Sequence, residues 1–591
     1  MKNKLELTWF GKDEKMSVEP RLLIENNNLS NIQEDPDTEN FIIHGDNLLA
    51  LKALENKYAG KIKCIYIDPP YNINAANEHY DDFVEHSKWL KLMKARLEIL
   101  RRLLAPEGSI WIQIDDEEMA YLKVLCDEVF KRCNYVNTLS VNMKNVAGVS
   151  GGGEDKRLKK NCEYILVYAR DYSKMPTFKP QYIYTEMSDL IDQYLKEKKS
   201  WKYTTVLVDP GQKEYFGSTV DGDGNEIKVY LRKNVVTMSV NQIARRDGIT
   251  IKEAYKKYGI NVFRTTNAQS SIRTRVMDYR KEQDIKESII SIEYVPKTGK
   301  NKGVVYEQFY KDDKCNLFVW LRDTSEVIDG ELYKRDLLGT YWDMNAWMKN
   351  VTKEGGVKFP NSKKPEQLIR TILEMTTEPN DIVLDSFLGS GTTAAVAHKM
   401  GRRYIGIEMG DHAYSHCKPR LDSVIAGEDD AGITKSADWS SGGGYRFYEL
   451  APSLINTDGF GETIINKEYN ADMLASAVAL HEGFIYQPSS ELFWKQSKGS
   501  DNSYLFVTTK HVTKNLLDAI RGTMEDEEYL IVACCSYDLG IDKTYSNIVI
   551  KKIPQMLLNN CEFDKADYNL NIINPPVFIN EDDDEESDSD E

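Results

Sequence analysis

The chain of 591 residues has no apolar run that approaches the ~20 residues needed to cross a bilayer. Its first residues lack the apolar segment of a signal peptide. None of its nine cysteines is spaced as CxxC, which argues against the common zinc sites and disulfide frameworks. No GxxxxGK[ST] sequence is present, so no P-loop is predicted. These absences predict a cytoplasmic protein with reduced thiols, no membrane partner and no bound metal.

A positive net charge is also lacking, because the formal charge is −17. Residues 581–591 carry nine acidic side chains, and such a run predicts a disordered acidic tail. Between Leu231 and Lys286, by contrast, thirteen Lys and Arg residues stand against five Asp and Glu residues. Whole-chain charge is therefore a poor guide to nucleic-acid binding, and the basic stretches need separate consideration.

One apolar stretch is followed by two prolines and a tyrosine. Ile62–Ile67 is apolar enough for a strand buried on both faces, and Pro69 and Pro70 end it. Asp68 and Tyr71 are thus expected on a rigid loop at the carboxyl edge of a sheet, where α/β proteins bind ligands. Asp68 and the Pro69 carbonyl can accept the two hydrogens of an aromatic amine, while Tyr71 can stack on a flipped base. Taken alone, the segment is equally compatible with an ordinary turn.

A second strand, turn and helix are predicted around a glycine-rich segment. Asp385 ends the predicted strand, and Gly389 and Gly391 permit a tight turn close to a ligand. Glu408 ends the next strand about 20 residues later, the distance typical of an acid that binds ribose. The third glycine of a dinucleotide site is absent, which favours S-adenosylmethionine over NAD. The expected cofactor residues are Asp385, Phe387, Gly389, Gly391, Thr392 and Glu408, with Asp46 and Lys364 as further candidates.

Strand and helix patterns alternate on both sides of a basic insert, which predicts a doubly wound α/β core. Asp46 precedes a helix, and its position favours an N-cap over a pocket residue. Residues 74–85 are predicted to form a segment over the site. The expected domains are an arm (1–39), two core halves (40–174 and 356–455), an insert (175–355), a small α+β domain (456–580) and the acidic tail (581–591).

The insert contains two short predicted helices, Gln242–Arg246 and Thr250–Tyr258, around a turn. A helix-turn-helix DNA reader and a plain surface pair both fit this pattern. The segment Arg264–Arg275 mixes Arg, Asn, Gln and Ser, which are side chains that contact bases and phosphates. Upstream, the glycine-rich segment Gly148–Gly153 is either a loop near DNA or a connector.

Four segments resemble the modification subunits of Type III restriction–modification systems. They are residues 5–12 (LELTWFGK), 44–51 (HGDNLLAL), 385–403 (DSFLGSGTTAAVAHKMGRR) and 442–453 (GGGYRFYELAPS). An Asp-Pro-Pro-Tyr loop that precedes the glycine-rich turn is similar to the β-type order of amino-methylating DNA methyltransferases. The resemblance covers most of residues 1–170 and 355–455, whereas the insert and the last third match only in position.

This resemblance implies a Rossmann-like, S-adenosylmethionine-dependent core whose catalytic half precedes its cofactor half, with an inserted target-recognition domain. It implies adenine-N6 methylation of a flipped base in a short asymmetric site of double-stranded DNA. The implied catalytic residues are Asp68, Pro69, Pro70 and Tyr71. The family further implies a homodimer that associates with a separate helicase–nuclease restriction subunit.

Three other functions stay open at this stage. A cytosine-N4 methyltransferase would share the fold, although such enzymes usually have Ser where Asp68 stands. A glutamine methyltransferase that acts on protein shares the proline–proline–tyrosine logic but would not need a basic insert. A DNA-binding specificity subunit with an inactive methylase half is the third, and the intact Asp68, Tyr71 and glycine turn argue against it.

Overall fold

The computed structural model describes residues 6–9, 11–14, 16–71, 82–143, 160–297, 301–359, 363–558, 561 and 563. Most of the predicted segment 74–85, the glycine-rich segment Gly148–Gly153 and the acidic tail lie outside these ranges. The chain divides into two compact units, one formed by residues 1–179 and 339–591 and the other by Pro180–Leu338. In the described ranges, no helix is both long and apolar enough to span a membrane.

The first part of the core alternates strands and helices, as the sequence predicts. Its elements are β1 (Leu23–Glu25), β2 (Phe41–His44), α1 (Asn47–Tyr58), β3 (Ile62–Ile67), α2 (Asp82–Leu103), β4 (Leu104–Ile114), α3 (Met119–Cys126), β5 (Tyr135–Asn142) and β6 (Cys162–Ala169). Apart from the half-buried Lys63, every residue of β3 is buried, which is typical of a central parallel strand.

The insert is a separate β-rich unit. Its elements are β7 (Tyr182–Glu186), α4 (Met187–Lys196), β8 (Thr205–Asp209), β9 (Gln212–Val220), β10 (Glu226–Lys233), β11 (Val236–Ser239), α5 (Val240–Asp247), α6 (Ile251–Tyr258), β12 (Val262–Thr266), α7 (Ser271–Glu282), β13 (Ile289–Tyr294), β14 (Tyr306–Lys311), β15 (Asn316–Trp320), β16 (Ser325–Ile328) and β17 (Glu331–Leu337). Eight strands form an antiparallel sheet in the order β11-β8-β12-β15-β14-β13-β10-β9, and β16-β17-β7 form a second sheet.

The two short helices predicted in the insert are α5 and α6. Each begins with a capping box, formed by Ser239 with Gln242 and by Thr250 with Glu253. Their apolar faces join the core of the insert, so one side of each helix is already occupied. This arrangement fits a helix-turn-helix reader and a surface pair equally.

The chain then returns to the core. The elements of this part are β18 (Tyr341–Asp343), α8 (Asn345–Met348), α9 (Glu366–Thr376), β19 (Ile382–Asp385), α10 (Thr392–Lys399), β20 (Arg403–Glu408), α11 (Lys418–Ala426) and β21 (Arg446–Leu450). β18, which falls within the residues that the sequence assigned to the insert, pairs with β5 in the core sheet.

The ten core strands form one sheet in the order β1-β21-β2-β20-β19-β3-β4-β6-β5-β18. All pairs from β21 to β4 are parallel, whereas β6 runs antiparallel to both of its neighbours. From the adjacent strands β3 and β19 the chain proceeds in opposite directions, to β4 and to β20. The predicted doubly wound α/β core is confirmed, and β3 and β19 flank its switch point, where such sheets bind ligands.

The last part of the chain has mixed strands and helices. Its elements are β22 (Ile455–Thr457), β23 (Thr463–Ile465), α12 (Ala471–Glu482), β24 (Ile485–Tyr486), β25 (Ser497–Lys498), β26 (Ser503–Thr508), α13 (Lys514–Arg521), β27 (Tyr529–Cys534), β28 (Ile548–Lys552) and α14 (Gln555–Leu558). β24 to β28 form one sheet in chain order.

Candidate active site

Two loops leave the core sheet side by side. In the parallel register of β3 and β19, Cys64 pairs with Val383 and Ile65 with Leu384. The loop that starts at Asp68 and the turn that follows Asp385 therefore emerge at the same carboxyl edge. Their proximity has an electrostatic effect, since the Asp68 carboxylate is one of the groups that raise the pKa of Asp385.

The Asp68 loop is anchored on both sides of its prolines. The Tyr71 hydroxyl donates to Asp68 Oδ1 at 2.7 Å. The indole nitrogen of Trp89, which is fully buried in α2, donates to the Pro70 carbonyl at 2.8 Å. With the torsions that the prolines fix, these contacts hold the predicted catalytic residues in one rigid loop.

A cation and a second carboxylate complete this cluster. Lys364 Nζ lies 2.9 Å from the Tyr71 hydroxyl, 3.0 Å from Glu163 Oε2 and 3.3 Å from Asp68 Oδ2. The Tyr71 hydroxyl is also 2.9 Å from Glu163 Oε2. The sequence placed Lys364 beside the cofactor pocket, whereas its ammonium group lies among the side chains of the Asp68 loop. A direct contact of Lys364 with a cofactor stays a prediction.

The charges of this cluster shift one another's protonation. Burial raises the pKa of Asp68, and Glu163 adds to this while Lys364 opposes it. Burial alone would also raise the pKa of Glu163, but Lys364 and the hydrogen bond from Gln113 outweigh burial and lower it. The pKa of Lys364 is raised, because the two carboxylates outweigh burial. A proton held by this pair therefore resides on Asp68 in preference to Glu163.

Sequence reasoning missed Glu163 and Gln113. Gln113 stands near the end of β4 and donates through its amide to Glu163, the second residue of β6. The available signal was a polar residue in the apolar second half of β4 and another near the start of the largely apolar β6. It could not be used, because the antiparallel direction of β6 brings its first residues to the carboxyl edge of the parallel strands, and that direction is not visible in the sequence.

The glycine turn is fixed by two acids at strand ends. Asp385 accepts hydrogen bonds from the Phe387 amide at 2.9 Å and the Thr393 hydroxyl at 2.6 Å. Glu408 accepts from the Gly389 amide at 2.7 Å and from the Gly410 amide at 2.9 Å. Burial raises the pKa of Asp385 to about 7, and the Asp68 and Glu408 carboxylates contribute. Burial also raises the pKa of Glu408.

Gly391 forms the tight turn that the sequence predicted, whereas a close approach of a ligand to this turn stays a prediction. It is the N-cap of α10 and has a φ of 80°, a conformation that side chains disfavour. A Cβ atom at this position would stand 3.2 Å from the Cα atom of Cys417. Gly389 is also in the left-handed region, with a φ of 55°. The turn therefore accepts only glycine without strain at these two positions.

Asp46 is an N-cap, as its position in the sequence favoured. Its Oδ1 accepts from the amides of Leu48 at 2.9 Å and Leu49 at 3.0 Å, and its Oδ2 pairs with Arg96 at 3.4 Å. The adjacent Asn47 donates to the Ser386 carbonyl at 2.7 Å, which ties α1 to the glycine turn. A contact between Asp46 and a cofactor stays a prediction.

A buried ionic cluster supports the glycine turn from within the core. Glu366 accepts from Arg420 at 2.7 Å and from Lys399 at 2.8 Å, and all three side chains are fully buried. Lys399 also pairs with Asp429 at 2.6 Å. Arg420 donates to the Thr392 hydroxyl at 2.7 Å, so the cluster reaches the first residue of α10. The charges stabilise one another, since any one of them alone would be costly in this environment.

The residues of the glycine turn and of the strand end at Glu408 fit an adenosyl cofactor. Both Glu408 oxygens are occupied by backbone amides, yet each keeps a second acceptor position for a ribose hydroxyl. Two left-handed glycines open the turn, and within the described part of the chain the buried Ser386 hydroxyl has no hydrogen-bond partner. In the same ranges no group of three or more His, Cys, Asp or Glu residues is arranged to hold a metal ion.

In the insert, part of the basic stretch has structural partners. Arg273 donates to the Cys315 carbonyl at 2.9 Å and also contacts the Lys314 carbonyl. Arg264 stacks its guanidinium over the Tyr203 ring at 5.5 Å. These contacts within the insert explain the positions of two of the basic side chains without invoking a ligand. They identify no base-reading residue.

Comparison with known proteins gives a consistent result. The DNA methylase family model matches residues 62–418. The chain is 43% identical over 415 residues to the "probable type III restriction-modification enzyme HindVI Mod subunit" of Haemophilus influenzae, a match that covers 70% of this chain and 54% of that subunit. It is 24% identical over 536 residues to the EcoP15I Mod subunit of Escherichia coli, covering 80% of this chain and 75% of that one.

The chain thus spans about half the length of the Haemophilus subunit. A solved structure, the cytosine-N4-specific PvuII DNA methyltransferase, is 12% identical, and the match covers 68% of this chain and 91% of that one with a TM-score of 0.31. The predicted resemblance to type III modification subunits is confirmed by the two Mod subunits. The matched model covers more than half of the chain and includes both loops of the site, and the protein therefore belongs to the DNA methylase family.

Proposed function

We propose that this protein is a DNA adenine-N6 methyltransferase that acts as the modification subunit of a type III restriction–modification system. The observation that carries the proposal is the pairing of two loops at the switch point of the sheet. One loop presents Asp68 and Tyr71, and the other presents the glycine turn with Glu408. A base amine and an adenosyl cofactor would meet where these loops lie side by side.

The cofactor would be S-adenosylmethionine, whose sulfonium supplies an electrophilic methyl group when it is bound. Glu408 would bind the ribose hydroxyls, and the turn at Gly389 and Gly391 would let the backbone approach closely. Asp385 would keep the turn in shape through Phe387 and Thr393. Lys364 and Asp46 are the weaker candidates for a direct contact.

The chain's own residues would activate and position the amine. Asp68 and the Pro69 carbonyl would accept the two N6 hydrogens of an adenine flipped out of the duplex, which directs the nitrogen lone pair toward the methyl group. The Tyr71 ring would stack on the base, a contact worth about 1–3 kcal/mol. Asp68 must be ionised to accept the hydrogen and to stabilise the positive charge that develops on N6.

The carboxylate favours adenine over the alternatives left open by the sequence. Asp68 stands where cytosine-N4 enzymes usually have Ser. The intact cluster of Asp68, Tyr71 and Lys364 also argues against a specificity subunit whose methylase half is inactive, because an idle site would not need a buried cation shared between carboxylates.

The DNA contacts and the partners are part of the same proposal. The name of each relative describes a Mod subunit of a type III restriction-modification enzyme. By analogy, this chain would bind double-stranded DNA, form a homodimer and associate with a separate restriction subunit. The basic stretch of the insert is the part of the chain proposed to contact the DNA.

The test is methylation-aware sequencing of DNA from cells that express this chain alone, beside cells that express Asp68→Asn. N6-methyladenine at one short asymmetric sequence, absent with the variant, is the expected result. The isosteric variant removes the charge and keeps the shape of the loop, so a loss of methylation reports on chemistry.

Two outcomes would contradict the proposal. N4-methylcytosine in the sequenced DNA would show that cytosine, and not adenine, is the target base. Purified chain that binds S-adenosylmethionine in calorimetry and binds DNA but never transfers a methyl group would identify a specificity subunit.

A further inference from the structure

We propose that Glu163 is a positioning residue for methyl transfer, which anchors the Tyr71 hydroxyl and shares the Lys364 ammonium with Asp68. The inference rests on the proposed function and adds a second carboxylate to the Asp68 cluster. Glu163 does not touch the substrate in this scheme. It acts through the tyrosine and the lysine that it contacts.

The first argument is the number of hydrogens in the cluster. The Tyr71 oxygen lies 2.7 Å from Asp68 and 2.9 Å from Glu163, yet a hydroxyl has a single hydrogen to donate. Lys364 donates to the same oxygen at 2.9 Å. If both carboxylates are to hydrogen-bond to this one hydroxyl, one of them must carry a proton. Two negative charges this close also oppose each other's ionisation.

The second argument is the rigidity of Glu163. It is the second residue of β6 in the core sheet, and its Oε2 accepts from Gln113 and from Lys364. Gln113 is itself held by the hydroxyl of the buried Tyr66, at 2.5 Å. Tyr71 thus has one end on the proline loop and its hydroxyl on the sheet, which fixes the plane on which the base would stack.

The third argument is the effect on Asp68. The titratable groups around its carboxylate are Glu163, Lys364, Tyr71 and Tyr66, and Asp385 lies across the switch point. Glu163 opposes ionisation of Asp68 and also competes for Lys364, which is closer to Glu163 than to Asp68. Removing the charge of Glu163 favours the ionised form of Asp68, which is the form that accepts the N6 hydrogen.

The experiment compares pH profiles of methyl transfer from S-adenosylmethionine to duplex DNA for the wild type, Glu163→Gln and Glu163→Ala. The acidic limb of kcat/KM reports the acid that must be ionised in the free enzyme. We expect Glu163→Gln to move this limb to lower pH by about one unit, because the charge that opposes ionisation of Asp68 is removed. Glu163→Ala should move the limb similarly and lower kcat roughly tenfold, because it also releases Tyr71.

Two further variants make the comparison specific. Glu98→Gln makes the same chemical change on the exposed side of α2 and should leave the profile unchanged. Tyr71→Phe keeps the stacking ring and removes the bridging hydroxyl. In that background Glu163→Ala should cause no further loss of kcat, since the link between the two residues is already broken.

The outcomes separate this inference from the proposed function. If the wild type transfers no methyl group, the proposed function and this inference are both refuted. If the wild type methylates adenine but the limb of Glu163→Gln stays in place or moves to higher pH, this inference alone is refuted. If Glu163→Gln does not fold, as judged by thermal melting, the effect of Tyr71→Phe decides, and an unchanged kcat would refute the anchoring role.

Discussion

The protonation of the Asp385 carboxyl, which holds the glycine turn, should make the free energy of unfolding depend on pH. Asp385 accepts from the Phe387 amide and the Thr393 hydroxyl, and burial raises its pKa to about 7 from the ordinary value of 3.8. We consider the variant Asp385→Asn. The amide oxygen can still accept from Phe387, and the amide group can donate to Thr393, because a hydroxyl both donates and accepts. The variant therefore removes one titration and keeps the turn.

The sign and the magnitude follow from proton linkage. Between 3.8 and about 7 the folded protein keeps the Asp385 proton that the unfolded chain releases, so stability falls as pH rises. The contribution is fully present below 3.8 and is lost as pH rises through about 7. At up to about 1.4 kcal/mol per pH unit, the loss between roughly pH 5 and pH 8 sums to about 2–3 kcal/mol. Asp385→Asn cannot ionise and should lack this loss.

The measurement is the free energy of unfolding in urea, for wild type and Asp385→Asn, at several pH values over this interval. The difference between the two proteins isolates Asp385, because other groups titrate in both. Glu354, whose pKa burial also raises to about 7, is one of these shared groups. Equal pH dependence of the two proteins would refute the reasoning and would mean that Asp385 ionises normally in the folded state.

Two further predictions concern the support of the cofactor turn. Gly391→Ala should weaken S-adenosylmethionine binding roughly tenfold in calorimetry, because the left-handed residue gains about 1–2 kcal/mol of strain against a crowded backbone. Gly401→Ala carries the same strain in open space and should leave the affinity unchanged, so equal effects would contradict a role for the turn. Glu366→Gln leaves two buried cations short of a carboxylate and should cost about 3–5 kcal/mol in urea unfolding. Glu374→Gln breaks only a half-exposed pair on the same helix and should cost less than about 1 kcal/mol, and a similar small cost for Glu366→Gln would show that its pairs contribute little.

Local sequence was sufficient for the elements and for both loops. The apolar strand before Asp68, the prolines after it and the glycines after Asp385 each specify their conformation within a few residues, through fixed torsions and burial. The same holds for Asp46, whose place before a helix predicted the N-cap that the structure contains. The alternation of strand and helix was likewise enough to predict a doubly wound core.

Contacts between distant segments could be decided only by the tertiary structure. Glu163 and Lys364 are 201 positions apart in the chain, and they meet because β6 runs antiparallel to β4 while α9 returns after the insert. Strand direction and order depend on packing over the whole sheet, so no local pattern contains them. The sequence thus predicted which residues lie on the two loops at the carboxyl edge of the sheet. The fold alone determined that the Glu163 carboxylate and the Lys364 ammonium lie beside Asp68 and Tyr71.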